Sequence, residues 1–242
     1  MRATTLRRLA GEFVGSGLLA AVVVGSGIAA QRLSPADTGL QLLENALTTA
    51  FGLAVLILVF APVSGAHFNP VVSAVDAALG HRPWADVARY VPAQVAGCIA
   101  GAVLANLMFA EPAVAWSTTD RLTGPHLLAE VVATAGLVLV IFALVRTGRT
   151  VAIAPAVGAY IGAAYFFTSS TSFANPAITI GRMFTDTFAG IAPGAAPGYI
   201  VAQVIGGMVG WLAVRAFFPA RPGAGHKVRG ADETGRAAKE LT

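Results

Sequence analysis

Long apolar stretches alternate with short polar connectors along most of the chain. Six of these stretches approach the length that crosses a membrane as a helix: 13–30, 45–61, 90–110, 127–145, 151–167 and 199–218. A spanning helix needs about 20 apolar residues, because each residue adds about 1.5 Å across a hydrocarbon core about 30 Å thick. The pattern therefore predicts an all-α membrane protein with six transmembrane helices.

The same dipeptide interrupts two further apolar segments at membrane depth. Asn69-Pro70 lies between the second and third spans, and Asn175-Pro176 follows the fifth span within a stretch that has no charged residue between Arg149 and Arg182. Asn is a preferred helix N-cap, and Pro is preferred at the first helical position. We therefore predict two short half-helices, about 69–79 and 175–184, that begin inside the membrane.

The two halves of the chain repeat one another. The shared elements are an acidic residue, the Asn-Pro pair and a Gln-x-x-Gly motif: Glu12, Asn69-Pro70 and Gln94-x-x-Gly97, then Glu130, Asn175-Pro176 and Gln203-x-x-Gly206. Each half has three spans, so the second copy enters the membrane from the opposite side and forms an inverted repeat. We predict one channel domain over 1–220, with repeats at about 7–110 and 125–218 and a disordered tail at 221–242.

Composition supports the membrane assignment and charge gives the orientation. The 242 residues are 56% hydrophobic and 12% charged, against about 25% charged in soluble domains. The side that holds both termini carries 13 of the 16 Lys and Arg residues. By the positive-inside rule, both termini are predicted to be cytoplasmic, in a bacterial-type plasma membrane. The first span could also be read as a cleaved signal peptide, but its removal would unbalance the repeat.

Several function classes find no support in the sequence. The basic residues are distributed by topology and form no face for nucleic acid, and we find no nucleotide-binding loop, metal-ligand cluster or catalytic triad spacing. We therefore expect no cofactor, no metal and no enzymatic activity. The expected partners are the lipid bilayer, water and small uncharged solutes.

The two half-helices predict an ion-excluding pore. Their N-termini should meet at the midplane, where irregular backbone is tolerated when it lines a cavity or is buried in protein. Each helix N-terminus carries about half a positive charge, which raises the energy of a cation there. If each Asn oxygen caps its helix, the amide N–H groups of Asn69 and Asn175 can donate to passing oxygens. Such donors orient water and interrupt a proton-conducting chain.

These residues carry a family resemblance. The segment Ser64-Gly65-Ala66-His67-Phe68-Asn69-Pro70 and the segment Asn175-Pro176-Ala177, with Glu12-Phe13 and the two Gln-x-x-Gly motifs, resemble the aquaporin (major intrinsic protein) family over about 11–218. The resemblance implies an hourglass of six helices and two re-entrant half-helices, usually assembled as a homotetramer. It also implies that the pore centre consists of Asn69, Pro70, Val71, Asn175, Pro176 and Ala177.

The chain departs from the family pattern at the pore. The first motif ends in Val71 where the family has Ala, which implies at most a mild narrowing. Ile178 follows the second motif, where the family has an Arg that guards the outer constriction. The resemblance assigns Ser172 and Ala163 to the same constriction. The fourth residue of this constriction lies on the second span, near Thr49 or Phe51, and we take Phe51 as the candidate.

Four other residues have two interpretations each. Glu12 and Glu130 are predicted to accept hydrogen bonds from the re-entrant backbone, with a proton relay as the alternative. His67 is predicted to bond loop carbonyls, with charge-dependent gating of the cytoplasmic vestibule as the alternative. Arg182 either places a positive charge in the outer vestibule or pairs with Asp186, four residues further on.

We expect a passive channel for neutral solutes larger than water, because Ile178 with Ser172 and Ala163 should give a wide, apolar constriction. Glycerol, urea and undissociated metalloid acids fit that description. The loop 186–191 is similar to bacterial aquaglyceroporin-like channels associated with arsenic resistance. A water-selective pore is the first alternative, and a proton-coupled secondary transporter, which can share the inverted repeat, is the second.

Overall fold

The computed structural model describes residues 2–219; the predicted tail at 221–242 lies outside this range. The described part is all-helical, without strands. Its eight α-helices are α1 (Arg2–Leu33), α2 (Thr38–Ser64), α3 (Pro70–Ala78), α4 (Trp84–Met108), α5 (Gly124–Arg146), α6 (Ile153–Phe167), α7 (Pro176–Gly181) and α8 (Ala196–Phe217).

Six of these helices are long and apolar enough to cross a membrane, namely α1, α2, α4, α5, α6 (with the 3-10 turn that precedes it) and α8. This confirms the predicted fold class. The bounds differ in detail: α1 already begins in the basic N-terminal arm, well before Phe13. Below, the N-side is the face on which α1 begins, and the far side is the opposite face.

The end of α2 differs from the prediction. The predicted span ends at residue 61, but α2 continues through Pro62 to Ser64. It ends at Gly65, whose φ of 95° lies in the left-handed region that glycine adopts without steric cost. Pro62 falls within the last turn, and this turn still has a helical hydrogen bond, from the Gly65 N–H to the Ala61 carbonyl at 3.0 Å.

The inverted repeat is visible in the helix packing, since α1 packs against α4 and α5 packs against α8. Both crossings depend on the glycine of a Gln-x-x-Gly motif. A Cβ at Gly97 would overlap the carbonyl oxygen of Phe13, and a Cβ at Gly206 would lie 2.5 Å from that of Val131. Small residues let membrane helices approach closely. These crossings fix Glu12 and Glu130, one residue before those carbonyls, beside the re-entrant segments.

The half-helices begin where the sequence predicts. Asn69 caps α3, accepting from the Val71 N–H at 2.9 Å, and Asn175 caps α7, accepting from the Ala177 N–H at 2.9 Å. The α7 helix has six residues and continues as a 3-10 turn over Arg182–Phe184. Together they reach the predicted end of the second half-helix.

Candidate functional site

The two capping asparagines join the half-helices at the centre of the molecule. Asn69 Nδ2 donates to the Ala174 carbonyl at 2.7 Å, and Asn175 Nδ2 donates to the Phe68 carbonyl at 2.7 Å. An amide nitrogen carries two hydrogens. The cap uses the oxygen and the crossed bond uses one hydrogen, so each asparagine retains one N–H for the cavity that both residues line.

Two buried carboxylates hold the segments that precede these caps. Glu12 accepts from the backbone N–H groups of His67 and Phe68 at 3.1 and 2.8 Å, and Glu130 accepts from those of Phe173 and Ala174 at 2.9 and 2.8 Å. A serine and a glutamine complete each set: Ser64 and Gln94 on Glu12, Ser170 and Gln203 on Glu130. Each carboxylate thus accepts four hydrogen bonds and supports the re-entrant backbone.

The backbone of both re-entrant segments is strained in the same places. Ala66 and Phe68 have φ values of 51° and 50°, and their counterparts Ser172 and Ala174 have 53° and 48°. Residues with a Cβ adopt this left-handed region at an energetic cost. The carboxylate hydrogen bonds offset that cost. Among the described residues, the carbonyls of Ala66 and Ser172 accept no protein hydrogen bond, which leaves them available to solutes in the cavity.

One elongated cavity runs past the two asparagines. It is lined by His67 and Asp76 towards the N-side and by Ser172, Ile178 and Arg182 towards the far side. Between these groups the wall is mostly aliphatic, with side chains from the long helices: Leu19, Val23, Leu53, Ile57, Leu137, Ile141, Val157 and Ile161. A polar solute in this cavity meets hydrogen-bonding groups along the re-entrant segments and an apolar wall from the long helices.

Four of the predicted pore-centre residues lie off the cavity. Pro70, Val71, Pro176 and Ala177 are absent from its lining. The predicted narrowing by Val71 is therefore wrong: its branched side chain packs towards α8, where a Cβ on Gly207 would overlap it. These residues shape the half-helices, whereas Asn69 and Asn175 contact the lumen.

Two of the four residues predicted for the far-side constriction line the cavity. Ile178 and Ser172 line the cavity, both 4% exposed, and the Ser172 hydroxyl has no hydrogen-bond partner in the described protein. Ala163 is a correction: it is exposed on the outer surface of α6. Ile161 and Tyr165 line the cavity in its place. Two residues rotate a helical side chain by about 200°, which explains why neighbours of Ala163 face inwards and Ala163 does not.

Phe51 is the second correction. Its side chain is 68% exposed, whereas Thr49 is buried, lines the cavity and lies 3.1 Å from the Tyr165 hydroxyl. The buried positions of α2 include Thr49, Leu53, Leu56 and Ile57, which place Phe51 on the opposite face. Helical periodicity could therefore have chosen between Thr49 and Phe51, and the i, i+4 series Ile153, Val157, Ile161 and Tyr165 could have excluded Ala163.

An ionic cluster that the sequence analysis missed forms the N-side mouth. Asp76 accepts from His81 Nδ1 at 2.9 Å and from Arg82 Nε at 2.6 Å, and lies 3.4 Å from His67 Nε2. His67 Nδ1 lies 2.9 Å from the Ser73 hydroxyl, so both ring nitrogens face side chains, and within the described residues the predicted bond to a loop carbonyl is not found. Burial opposes ionisation of Asp76, but the hydrogen bonds from His67, His81 and Arg82 outweigh it and lower the pKa of Asp76 below its usual range.

Arg182 lies at the far-side mouth and forms no ion pair with an acidic residue in the described range 2–219. It is 3% exposed, its Nε donates to the Ala189 carbonyl, and its guanidinium carbon lies 3.4 Å from the centroid of the Phe173 ring. Within the described residues it makes no ion pair with Asp186, whose carboxylate accepts from the Thr118 N–H at 2.9 Å. The geometry therefore favours the interpretation in which Arg182 places a positive charge in the outer vestibule over the one in which it pairs with Asp186.

Comparison with known proteins assigns this architecture. The model of the family described as "Major intrinsic protein" matches residues 1–174, most of the chain. The chain belongs to the major intrinsic protein family. It is 50% identical over 218 residues to "Aquaglyceroporin AqpS" of Rhizobium meliloti (strain 1021), covering 89% of this chain and 92% of that protein. It is 33% identical over 153 residues to a "Glycerol uptake facilitator protein" of Streptococcus pneumoniae, covering 57% of this chain and 64% of that one.

A solved structure shares the fold. The aquaglyceroporin from Plasmodium falciparum superposes with a TM-score of 0.67 at 22% identity, covering 87% of this chain and 95% of that chain. Family membership confirms the resemblance and makes the protein a multi-pass membrane channel, not an enzyme. The family match ends one residue before Asn175, and the departure at Ile178 follows that point.

Proposed function

We propose that the protein is a passive channel for small neutral solutes larger than water, such as glycerol, urea and undissociated metalloid acids including arsenous acid. The observation that carries this proposal is Ile178. An aliphatic side chain lines the cavity at the position where the family pattern has an arginine, so fixed donors and a charge are absent from that point of the wall. The printed names of the relatives, an aquaglyceroporin and a glycerol uptake facilitator, agree with it.

Ion and proton exclusion forms part of the proposal. Asn69 and Asn175 each keep one amide N–H for the cavity, at the point where the two half-helices meet. A water molecule that accepts from both asparagines cannot at the same time pass a proton through its oxygen. A cation at this point would face the N–H donors of both asparagines and the positive ends of both half-helices.

The competing hypothesis, a proton-coupled transporter, needs a titratable group that can gain and lose a proton during transport. Glu12 and Glu130 are the buried carboxylates of the spanning helices that the sequence offered for this role. Each already accepts four hydrogen bonds from the re-entrant segment and its neighbours. Protonation would break that support, so these groups suit a structural role better than a relay.

Orientation and assembly complete the proposal. The basic residues on the N-side favour a cytoplasmic location for both termini, because positively charged connectors are retained there. Assembly as a homotetramer follows from the family resemblance. Exposed apolar side chains on α2 and α6, such as Phe51 and Phe166, are available to lipid or to a neighbouring subunit.

Solute flux in proteoliposomes tests the proposal. Water, glycerol, urea and arsenous acid should each equilibrate faster than in protein-free liposomes, without a proton or sodium gradient, and without a rise in proton conductance. Fast water flux with no glycerol or arsenous acid flux would favour the water-selective alternative. A saturating flux that needs an ion gradient would favour the transporter.

A further inference from the structure

Arg182 is a cation at the far-side mouth that the neutral-solute function does not require. It lines both the central cavity and a separate depression on the far side that also includes Arg121, Thr171, Asp186 and Thr187. The residue is therefore at the boundary between bulk water and the pore. It lies seven residues after Asn175, one helical turn beyond the family's arginine position, now Ile178.

The contacts of Arg182 hold its guanidinium while leaving part of it available. Nε is bound to the Ala189 carbonyl and the plane lies against the Phe173 ring. Within the described residues, no hydrogen bond is made by the two terminal nitrogens of the side chain. A guanidinium presents its donors as a fork that matches two oxygens of one acid group. This fork is pre-oriented at the mouth of the pore.

A second arginine lies beside Arg182. Arg121 lies on the same Phe173 ring, with its guanidinium carbon 5.6 Å from the ring centroid, and donates to the carbonyls of Phe188 and Gly190. Two carboxylates are also nearby: Asp186 lines the same depression and accepts from Thr118, and Glu130 accepts from the re-entrant segment. Their donors are neutral, so both carboxylates keep their charge, but neither forms an ion pair with Arg182 within the described residues. Buried charges are normally paired directly, whereas Arg182 has a carbonyl and a ring in place of such a partner.

We propose that Arg182 forms a binding site for monoanionic oxyacids, and for the oxygens of neutral oxyacids, at the far-side mouth of the pore. The lone Ser172 hydroxyl, 4% exposed and without a protein partner, lines the adjoining cavity and can donate to a further oxygen of the ligand. Because the site lies on the solute's path, an anion held there obstructs neutral solutes. The inference rests on the proposed function only because the flux of a neutral solute is used to detect the bound anion.

Methanesulfonate is a suitable probe, because it is a small monoanion with three oxygens and has no neutral form at ordinary pH. Dimethyl sulfone has nearly the same shape without the charge. In proteoliposomes, methanesulfonate should slow glycerol flux through the wild-type channel, whereas dimethyl sulfone at the same concentration should not. Arg182→Gln should weaken this inhibition at least about tenfold, and Arg182→Lys, which keeps the charge but loses the fork, should lie between the two.

The matched control is Arg32→Gln, which removes an exposed far-side arginine that pairs with Glu111. This variant should retain wild-type inhibition. Thermal unfolding of each variant checks that Arg182→Gln is folded, and Arg182→Lys provides a second test if it is not. Normal glycerol flux that methanesulfonate does not inhibit would overturn the inference and leave the proposed function standing. Absence of glycerol flux in the wild type would instead overturn the proposed function.

Discussion

Asp76 and Arg182 occupy equivalent positions in the inverted repeat, each seven residues after the asparagine that caps its half-helix. Each also contacts the residue two places before that asparagine. Asp76 lies 3.4 Å from His67 Nε2, and the Arg182 guanidinium carbon lies 3.4 Å from the Phe173 ring centroid. The repeat therefore keeps the position and inverts the charge. At the N-side mouth a carboxylate pairs with basic side chains, and at the far-side mouth a cation makes no ion pair within the described residues.

The Asp76 cluster should stabilise the protein in a pH-dependent way. Asp76→Asn should lower the free energy of unfolding at pH 7 by about 3 kcal/mol, because it leaves the guanidinium of Arg82 without its carboxylate. The pKa of Asp76 is lowered in the folded protein, so its contribution is full above the ordinary Asp value of about 4 and is lost as the pH falls through the folded-state pKa.

Unfolding of wild type and Asp76→Asn in detergent at several pH values measures this contribution. The difference should be full near neutral pH and should shrink as the pH falls below about 4. Asp120→Asn, at an exposed position that accepts from the Leu122 N–H, is the control and should show a much smaller effect. A difference that grows on acidification would contradict the assigned role.

The buried carboxylates should be structural. Glu130→Gln replaces an acceptor that binds the N–H groups of Phe173 and Ala174 with an amide that presents donors to them. The free energy of unfolding should fall by about 3 kcal/mol, since buried donors lose their partner. Glu12→Gln should give a similar loss because its contacts are equivalent. Glu111→Gln, on the surface, should cost less than about 1 kcal/mol.

The same variants separate structure from proton coupling. If Glu12 and Glu130 were a relay, their Gln variants would fold normally and lose only a gradient-dependent component of flux. The structural assignment instead predicts that stability and total flux fall together, in Glu12→Gln and Glu130→Gln alike. Normal stability in both variants would contradict it.

The face of α6 that lines the pore can be mapped by cysteine substitution. Ile161→Cys should become sensitive to a mercurial reagent, because residue 161 lines the cavity, whereas Ala163→Cys should keep its flux. The native Cys98 is fully buried and should leave the wild type insensitive. Glycerol flux before and after the reagent is the measurement. If the reagent blocked Ala163→Cys and left Ile161→Cys unaffected, Ala163 would line the pore as the sequence predicted.

Much of the fold could be predicted from the sequence because its signals are local. Apolar runs locate the spans, and Asn-Pro locates helix starts at Asn69 and Asn175, where a side-chain oxygen caps the first turn. The α2 helix extends beyond the predicted span at 45–61, because Pro62 lies close to the helix end and does not set it. Gly65 determines that end.

The constriction was harder to predict because it depends on rotation about helix axes. Ala163 and Phe51 were placed by their distance along the chain, but a two-residue offset turns a side chain to the other face. The Asp76 cluster was missed for another reason: His81 and Arg82 lie in a connector, and their convergence on Asp76 depends on the turn that follows α3. The inverted repeat offered a signal for Asp76, because Asp76 occupies the position equivalent to Arg182, a residue that the sequence already placed near the pore.

The central claim, that Ile178 opens the channel to solutes larger than water, is tested most directly by Ile178→Arg. Proteoliposomes with this variant, with the wild type and with the conservative control Ile178→Val are compared for glycerol and water flux. Arg at this position should reduce glycerol flux at least about tenfold, an added barrier of about 1.4 kcal/mol, and reduce water flux much less. Val should change neither appreciably. A wild type that passes water but excludes glycerol, or an Ile178→Arg variant with unchanged glycerol flux, would contradict the account.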